Sequence, residues 1–223
     1  MYSDAGGTKV LPVSCSFGKG KMMIKNIIFD VGKVLVKWEP ERAMRELGMS
    51  EETIAAVMAA TVNSKEWDET DRGVWSNEEI LAAFIGKAPE YETEIRKFWG
   101  NLDLAVRPFS YVKDWITELK EQGYHLYILS NYGEWTYQKT KEALSFEQKM
   151  DGALFSYRVK CIKPDQKIYQ TLLQMFGLKA EECVFLDDRE ENIEGARQAG
   201  IHGIVFTSYE EAKKSLKELL RQD

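Results

Sequence analysis

Four short apolar runs stand out along the chain: Ile27-Ile28-Phe29, Leu126-Tyr127-Ile128-Leu129, Val184-Phe185-Leu186 and Gly203-Ile204-Val205-Phe206. Runs of this length, apolar throughout and bounded by turn residues, suit strands buried on both faces of a parallel sheet. Between them, apolar residues recur with helical spacing. Val112, Ile116 and Leu119 share one face, Ile168, Leu172 and Phe176 another, and Ala212, Leu216, Leu219 and Leu220 a third. Gly123 and Gly177 stand just past the first two helices, where a residue free to turn left-handed closes the last turn. Strands alternating with helices predict an α/β fold built on a doubly wound, mainly parallel sheet.

The alternation breaks between residues 38 and 104. That stretch has no clear strand but three helical faces: Ile54, Val57, Met58 and Thr61; Ile80, Leu81 and Phe84; Ile95, Phe98, Trp99 and Leu102. The pattern predicts a small helical cap over 38–104, inserted after the first strand, with 24–37 and 105–223 forming the α/β core. Arg107-Pro108 marks the return to the core, because the residue before a proline resists helix. Residues 1–23 hold four glycines and little apolar periodicity, and read as a loose extension.

Composition narrows the function classes. A formal charge of -6 offers no broad basic face for nucleic acid or an anionic membrane. No apolar stretch approaches the ~20 residues that span a bilayer, and the N-terminus lacks the basic-then-apolar order of a signal peptide, so a cytoplasmic location is expected. Cys15, Cys161 and Cys183 form no CxxC pair, which argues against a disulfide framework or a zinc site. His125 and His202 lie at strand starts, away from the expected site, so histidine-based mechanisms fit poorly.

Ligands of an open parallel sheet bind beyond the carboxyl ends of its strands. Three of the four apolar runs end in polar residues there: Asp30, Ser130-Asn131 and Asp187-Asp188. With Lys163 before Pro164, these supply carboxylates, a hydroxyl, an amide and an ammonium to one rim. Such a set suits Mg2+, which prefers oxygen ligands and completes its shell with water and substrate phosphate, while an ammonium stabilises charge on a transferring phosphoryl group. Adjacent carboxylates at 187 and 188 repel one another unless a cation intervenes.

These residues also carry a family resemblance. Phe29-Asp30-Val31-Gly32-Lys33-Val34-Leu35 resembles the first motif of the haloacid dehalogenase superfamily. Leu129-Ser130-Asn131 resembles the second, Lys163-Pro164 the third and Leu186-Asp187-Asp188-Arg189-Glu190-Glu191-Asn192 the fourth. All four stand in the family's order, and the insertion between the first two matches the branch with a helical cap, most like its glucose-1-phosphatase-like and epoxide-hydrolase N-domain-like members. The resemblance implies a Rossmann-like core and a phosphatase in which Asp30 attacks phosphorus and forms an aspartyl-phosphate. It further implies that Asp30, the backbone carbonyl of Gly32 and Asp188 ligate Mg2+. Ser130, the N–H of Asn131 and Lys163 would hold the phosphate, with Asp187 and Asn192 supporting from behind.

Gly32 departs from most phosphatases of that superfamily, which carry an aspartate two residues after the nucleophile as general acid and base. General acid–base help is typically worth about 10²–10⁴-fold, and its loss matters least for a weakly basic leaving group. An aldose 1-phosphate has such a group, and the glucose-1-phosphatase-like relatives share the glycine. The expected substrate is therefore a small phosphorylated metabolite, with an aldose 1-phosphate favoured, acted on by a monomer or homodimer without nucleic-acid or membrane partners. A metal-free haloacid dehalogenase, a phosphotransferase or phosphomutase, and a non-catalytic binding module are the alternatives. In the cap, Trp67, Trp75 and Trp99 are expected to fill the bundle, Trp38 and Glu39 to lie at the hinge or pocket mouth, and Asp71-Arg72-Gly73 to form a turn between helices. Tyr132 and Gly133 are expected to shape the substrate side.

Overall fold

The computed structural model describes residues 23–221; the expected extension over 1–23 falls, Met23 aside, outside them. In chain order the strands are β1 (Asn26–Phe29), β2 (Val36–Trp38), β3 (Val106–Pro108), β4 (His125–Ser130), β5 (Gly152–Phe155), β6 (Cys183–Asp187) and β7 (His202–Val205). The helices α1 (Pro40–Glu46), α2 (Glu51–Ala60), α3 (Glu66–Arg72), α4 (Asn77–Lys87) and α5 (Glu92–Gly100) lie between β2 and β3. The remainder are α6 (Val112–Glu121), α7 (Glu134–Thr140), α8 (Ser156–Val159), α9 (Gln166–Phe176), α10 (Glu190–Gln198) and α11 (Tyr209–Arg221).

Five strands form a parallel sheet in the order β5-β4-β1-β6-β7. Its period-two alternation feeds two cores. Ile27, Phe29, Leu126, Ile128, Val184 and Leu186 point to one face, where α6 and α11 bring Trp115, Ile116 and Leu216. Ile28, Tyr127, Leu129, Cys183 and Phe185 point to the other, where α9 and α10 bring Ile168, Leu172 and Ile193. This two-sided burial explains the unbroken apolar runs. The α/β fold with helices on both faces of a parallel sheet is as expected, with β5 as an additional edge strand.

The helices α1–α5 enclose a third core around Met44, Val57, Phe84, Ile95, Phe98 and Trp99. The two chain segments joining this layer to the sheet pair as an antiparallel ribbon, Val36 opposite Pro108 and Trp38 opposite Val106. Glu39 Oε2 accepts from Arg107 Nη2 at 2.6 Å across the same junction. Sequence pattern alone does not reveal this ribbon, because each strand has three residues and one contains a proline. No helix among the described residues is long and apolar enough to cross a membrane.

Candidate active site

Register brings the motifs together. Phe29 pairs with Ile128 on one side and Leu186 on the other, so the residues after β1, β4 and β6 emerge at one edge. The Asp30 N–H donates to Leu186 O at 2.9 Å, extending the ladder by one bond. The chain then turns sharply: Leu35 and Val36 N–H groups donate to Val31 O at 2.9 and 3.0 Å, and Lys33 adopts a left-handed φ of 59°. Gly32 sits in this turn without a left-handed φ, and a Cβ built there would meet nothing within 4 Å. Neither sterics nor backbone conformation requires glycine at this position.

Lys163 is the hub beneath the opening. Its ammonium lies 2.9 Å from Asp30 Oδ1 and 2.6 Å from Asp187 Oδ2, and donates to Leu129 O at 3.0 Å. The side chain is 1% exposed. Burial works against its charge, but Asp187 and Asp30 outweigh that and hold its pKa above the ordinary lysine value. Asn131 fixes the lysine's backbone: its Oδ1 accepts the Lys163 N–H at 2.7 Å and its Nδ2 donates to Lys163 O at 3.1 Å. The Asn131 side chain therefore ties two motif loops together.

Asp187 is fully buried, and its oxygens are filled. Besides Lys163, Asn192 Nδ2 donates to both at 3.0 Å, and the Arg189 N–H donates to Oδ1 at 2.8 Å. Asp188 is only half-buried, with Lys33 Nζ 3.5 Å from its Oδ2. Ligand oxygens of Asp30, Asp187 and Asp188 lie within 4.8 Å of one another. The residues fit a divalent cation on two counts. Among the described residues, Lys163 is the single buried ammonium beside these three carboxylates. In addition, Asp30 Oδ1 is buried, and its contact there is the 2.9 Å ion pair with Lys163. Burial and Asp187 push Asp30 up to about 6, against the lowering by Lys163 and Ser130. Burial and Asp187 also raise Asp188 above the usual carboxylate range. Like charges sharing a buried site behave this way until a cation compensates them.

Above this floor lies a cavity of about 340 Å³. Asp30, Gly32, Ser130, Asn131, Lys163, Asp188 and Asn192 all line it, with Asp187 sealed beneath. Trp38, Tyr132 and Trp67 line it as well. Trp67 also packs on Trp38, Phe84 and Trp99, so it fills the bundle and faces the pocket at once. Trp99 is buried in the helical core, whereas Trp75 is 41% exposed. Arg72 pairs with Glu69 at 3.4 Å and does not line the cavity. His125 lies against Asp151, 3.7 Å away, outside the site.

Asp68 and Asp71 are lining residues that the sequence reading did not assign. Asp71 belongs to the last turn of α3, and only Gly73, with φ 69°, caps the helix. Trp67, Asp68 and Asp71 stand at i, i+1 and i+4, which puts them on one side of a helix; that spacing was the available signal.

The haloacid dehalogenase-like hydrolase family model matches residues 24–200. The sesquiterpene phosphatase astK of Aspergillus oryzae is 24% identical over 200 residues, covering 88% of this chain and 96% of that one. Among solved structures, a predicted haloacid dehalogenase-like hydrolase of Porphyromonas gingivalis aligns with a TM-score of 0.72 at 22% identity, covering 90% of this chain and 100% of that one. An enzyme of the same family from Bacteroides thetaiotaomicron, in complex with magnesium and inorganic phosphate, aligns with a TM-score of 0.66 at 21% identity, covering 85% and 98%. The motif loops, the sheet that aligns them and the length of chain matched lead to one conclusion: this chain belongs to the haloacid dehalogenase-like hydrolase family.

Proposed function

We propose that this hydrolase is a magnesium-dependent phosphatase acting on a small phosphomonoester through a phosphoryl group carried on Asp30, with residues 38–104 as its cap. The observation that carries this reading is the pairing of two pocket-facing carboxylates, Asp30 and Asp188, with one buried ammonium, Lys163. Asp30, the Gly32 carbonyl and Asp188 would hold Mg2+, which when bound neutralises phosphate oxygens. Asp30 presents its free oxygen to phosphorus, and Lys163 keeps that carboxylate ionised and oriented. The Ser130 hydroxyl and the Asn131 N–H grip phosphate oxygens. Asp187 and Asn192 act from behind, holding Lys163 and the 187–192 loop.

The aspartyl chemistry in two steps makes each barrier smaller than direct attack by water. For substrate, an aldose 1-phosphate is favoured. Its leaving oxygen needs little protonation, which suits the missing side chain at Gly32. The wall supports a hydroxylated ring: Trp38 and Trp67 offer aromatic faces and Asp68 a hydrogen-bond acceptor, the mixture typical of polar small-molecule sites. Val36, Val62 and Val106 also line the cavity, and the sesquiterpene phosphatase relative gives a second candidate, an isoprenoid monophosphate.

A panel of aldose 1-phosphates, 6-phosphates and an isoprenoid monophosphate, run with Mg2+ and with EDTA, tests the reading. Hydrolysis that requires Mg2+ and is fastest on an aldose 1-phosphate is expected. Faster turnover of 6-phosphates removes the sugar refinement. Release of halide from a 2-haloacid that survives EDTA would establish dehalogenase chemistry instead, and acceptor-dependent product would establish phosphoryl transfer.

A further inference from the structure

Gly32 leaves the pocket without an acid–base group beside the nucleophile, although the space for one is open: a Cβ there meets nothing within 4 Å. Another carboxyl enters the same pocket from the opposite layer. Asp71, on α3, lines the cavity with Asp30, Ser130 and Lys163. We propose that Asp71 is the catalytic acid and base of this enzyme, supplied by the cap in place of the side chain that Gly32 lacks. This inference rests on the phosphatase reading above but not on the sugar refinement.

The docking of α3 fixes where Asp71 sits. The Tyr132 N–H donates to Ser156 Oγ at 2.9 Å, and Ser156 Oγ donates in turn to the Asp71 backbone carbonyl. Lys160 Nζ donates to Gly73 O. The approach is close enough that a Cβ on Gly133 would lie 2.9 Å from Thr70 O, and one on Gly73 would lie 2.7 Å from Tyr157 Cβ. The Asp71 backbone is thus tied, through Ser156, to Tyr132 in the loop that follows Ser130 and Asn131. The Asp71 carboxyl accepts a long hydrogen bond from Thr70 Oγ1, 3.5 Å from Oδ1. Burial, then Asp68 on its own helix and Asp30 across the pocket, push Asp71 up to about 7, against the opposing pull of Thr70 and Lys163. A group near neutrality is suited to give and take a proton at working pH.

Asp30 forms a bond to phosphorus as the bond from phosphorus to the leaving oxygen breaks. The Asp71 carboxylic acid gives its proton to that oxygen, and the alcohol departs. Asp71, now a carboxylate, takes a proton from water as the water oxygen bonds to phosphorus. The bond to Asp30 breaks, inorganic phosphate leaves, and both groups return to their starting states.

The test uses 4-nitrophenyl phosphate, whose leaving group needs no proton, in rapid-mixing experiments with Mg2+ on the wild type, Asp30→Asn, Asp71→Asn and Asp71→Asn combined with Gly32→Asp. In Asp71→Asn the first step survives and the second slows, so one equivalent of nitrophenolate appears in a burst before turnover about 10²–10⁴-fold below wild type. Adding Gly32→Asp, at a position where a Cβ meets nothing within 4 Å, restores turnover at least tenfold. Turnover in Asp71→Asn within threefold of wild type, a change in KM alone, or a loss without burst and without rescue overturns the inference and assigns Asp71 to binding or structure. A wild type that leaves the substrate intact, or an Asp30→Asn variant that hydrolyses it normally, instead overturns the phosphatase reading itself and the inference with it.

Discussion

The Lys163 ammonium lies 2.6 Å from Asp187 Oδ2, with 1% of the lysine side chain and none of the aspartate exposed. Two charges buried this completely survive only as a pair, and removing one partner of such a pair costs about 3–5 kcal/mol. Lys163→Met therefore destabilises the protein by roughly that amount, leaving Asp30 and Asp187 to repel one another. Chemical denaturation should show it, alongside loss of phosphatase activity. A variant as stable as wild type would mean that the lysine does not hold the two carboxylates together.

Asp188 is the half-buried carboxylate of the acidic cluster and faces the cavity. Mg2+ binding to the folded chain should raise its melting temperature, since a ligand at 100 times its Kd stabilises by ~2.7 kcal/mol. Asp188→Asn is expected to abolish most of this Mg2+-dependent rise while leaving the metal-free protein folded. A full Mg2+ response in the variant, measured by thermal denaturation, would place the metal elsewhere.

Asp71 gives a pH dependence with a definite sign. Its pKa rises from an ordinary 3.8 to about 7 in the folded chain, so the folded state binds the proton more tightly than the unfolded state. This group's contribution to stability is thus greatest below pH ~4 and declines as the pH rises towards ~7. Asp71→Asn removes that decline. In metal-free protein the variant should melt above wild type at pH 8, and the difference should narrow as the pH falls to 4. A constant difference across that range would contradict the assigned environment.

Much of this was legible in the sequence, for a physical reason. Strands buried on both faces must be apolar at every position, which is why β1, β4 and β6 showed as unbroken runs, and their ends marked Asp30, Ser130 and Asp187. The edge strand β5 did not show: Gly-Ala-Leu-Phe is four residues long, and Gly152 and Ala153 are only partly buried. The β2–β3 ribbon did not show because its pairing joins Trp38 to Val106 across the entire helical layer. Asp71 looked like part of a polar turn, since nothing local to Asp71-Arg72-Gly73 reveals that Ser156 and Gly133 receive it. The role of the Asn131 side chain was not legible either: only its N–H was expected at the phosphate, and its side chain grips the Lys163 backbone, a partner 32 residues away.

The contact between Gly133 and α3 predicts a separation of stability from activity. A methyl group on Gly133 would sit 2.9 Å from Thr70 O, so Gly133→Ala pushes α3 off the core without disturbing the sheet. Misplacing a catalytic group by about 1 Å can cost ~10²-fold in rate. A loss of kcat/KM of about 10–10²-fold with a nearly unchanged melting temperature is the expected outcome. Unchanged kcat/KM would show that close docking of α3 is not needed for turnover.

Acid-quench trapping reads the covalent role proposed for Asp30 directly. Wild-type protein is mixed with Mg2+ and a 32P-labelled phosphomonoester from the active panel, quenched in acid within milliseconds, digested and mapped. Acid-stable, alkali-labile label on the peptide that contains Asp30, absent in Asp30→Asn, is the predicted result. Steady hydrolysis with no label on that peptide, or with label on another residue, would contradict it.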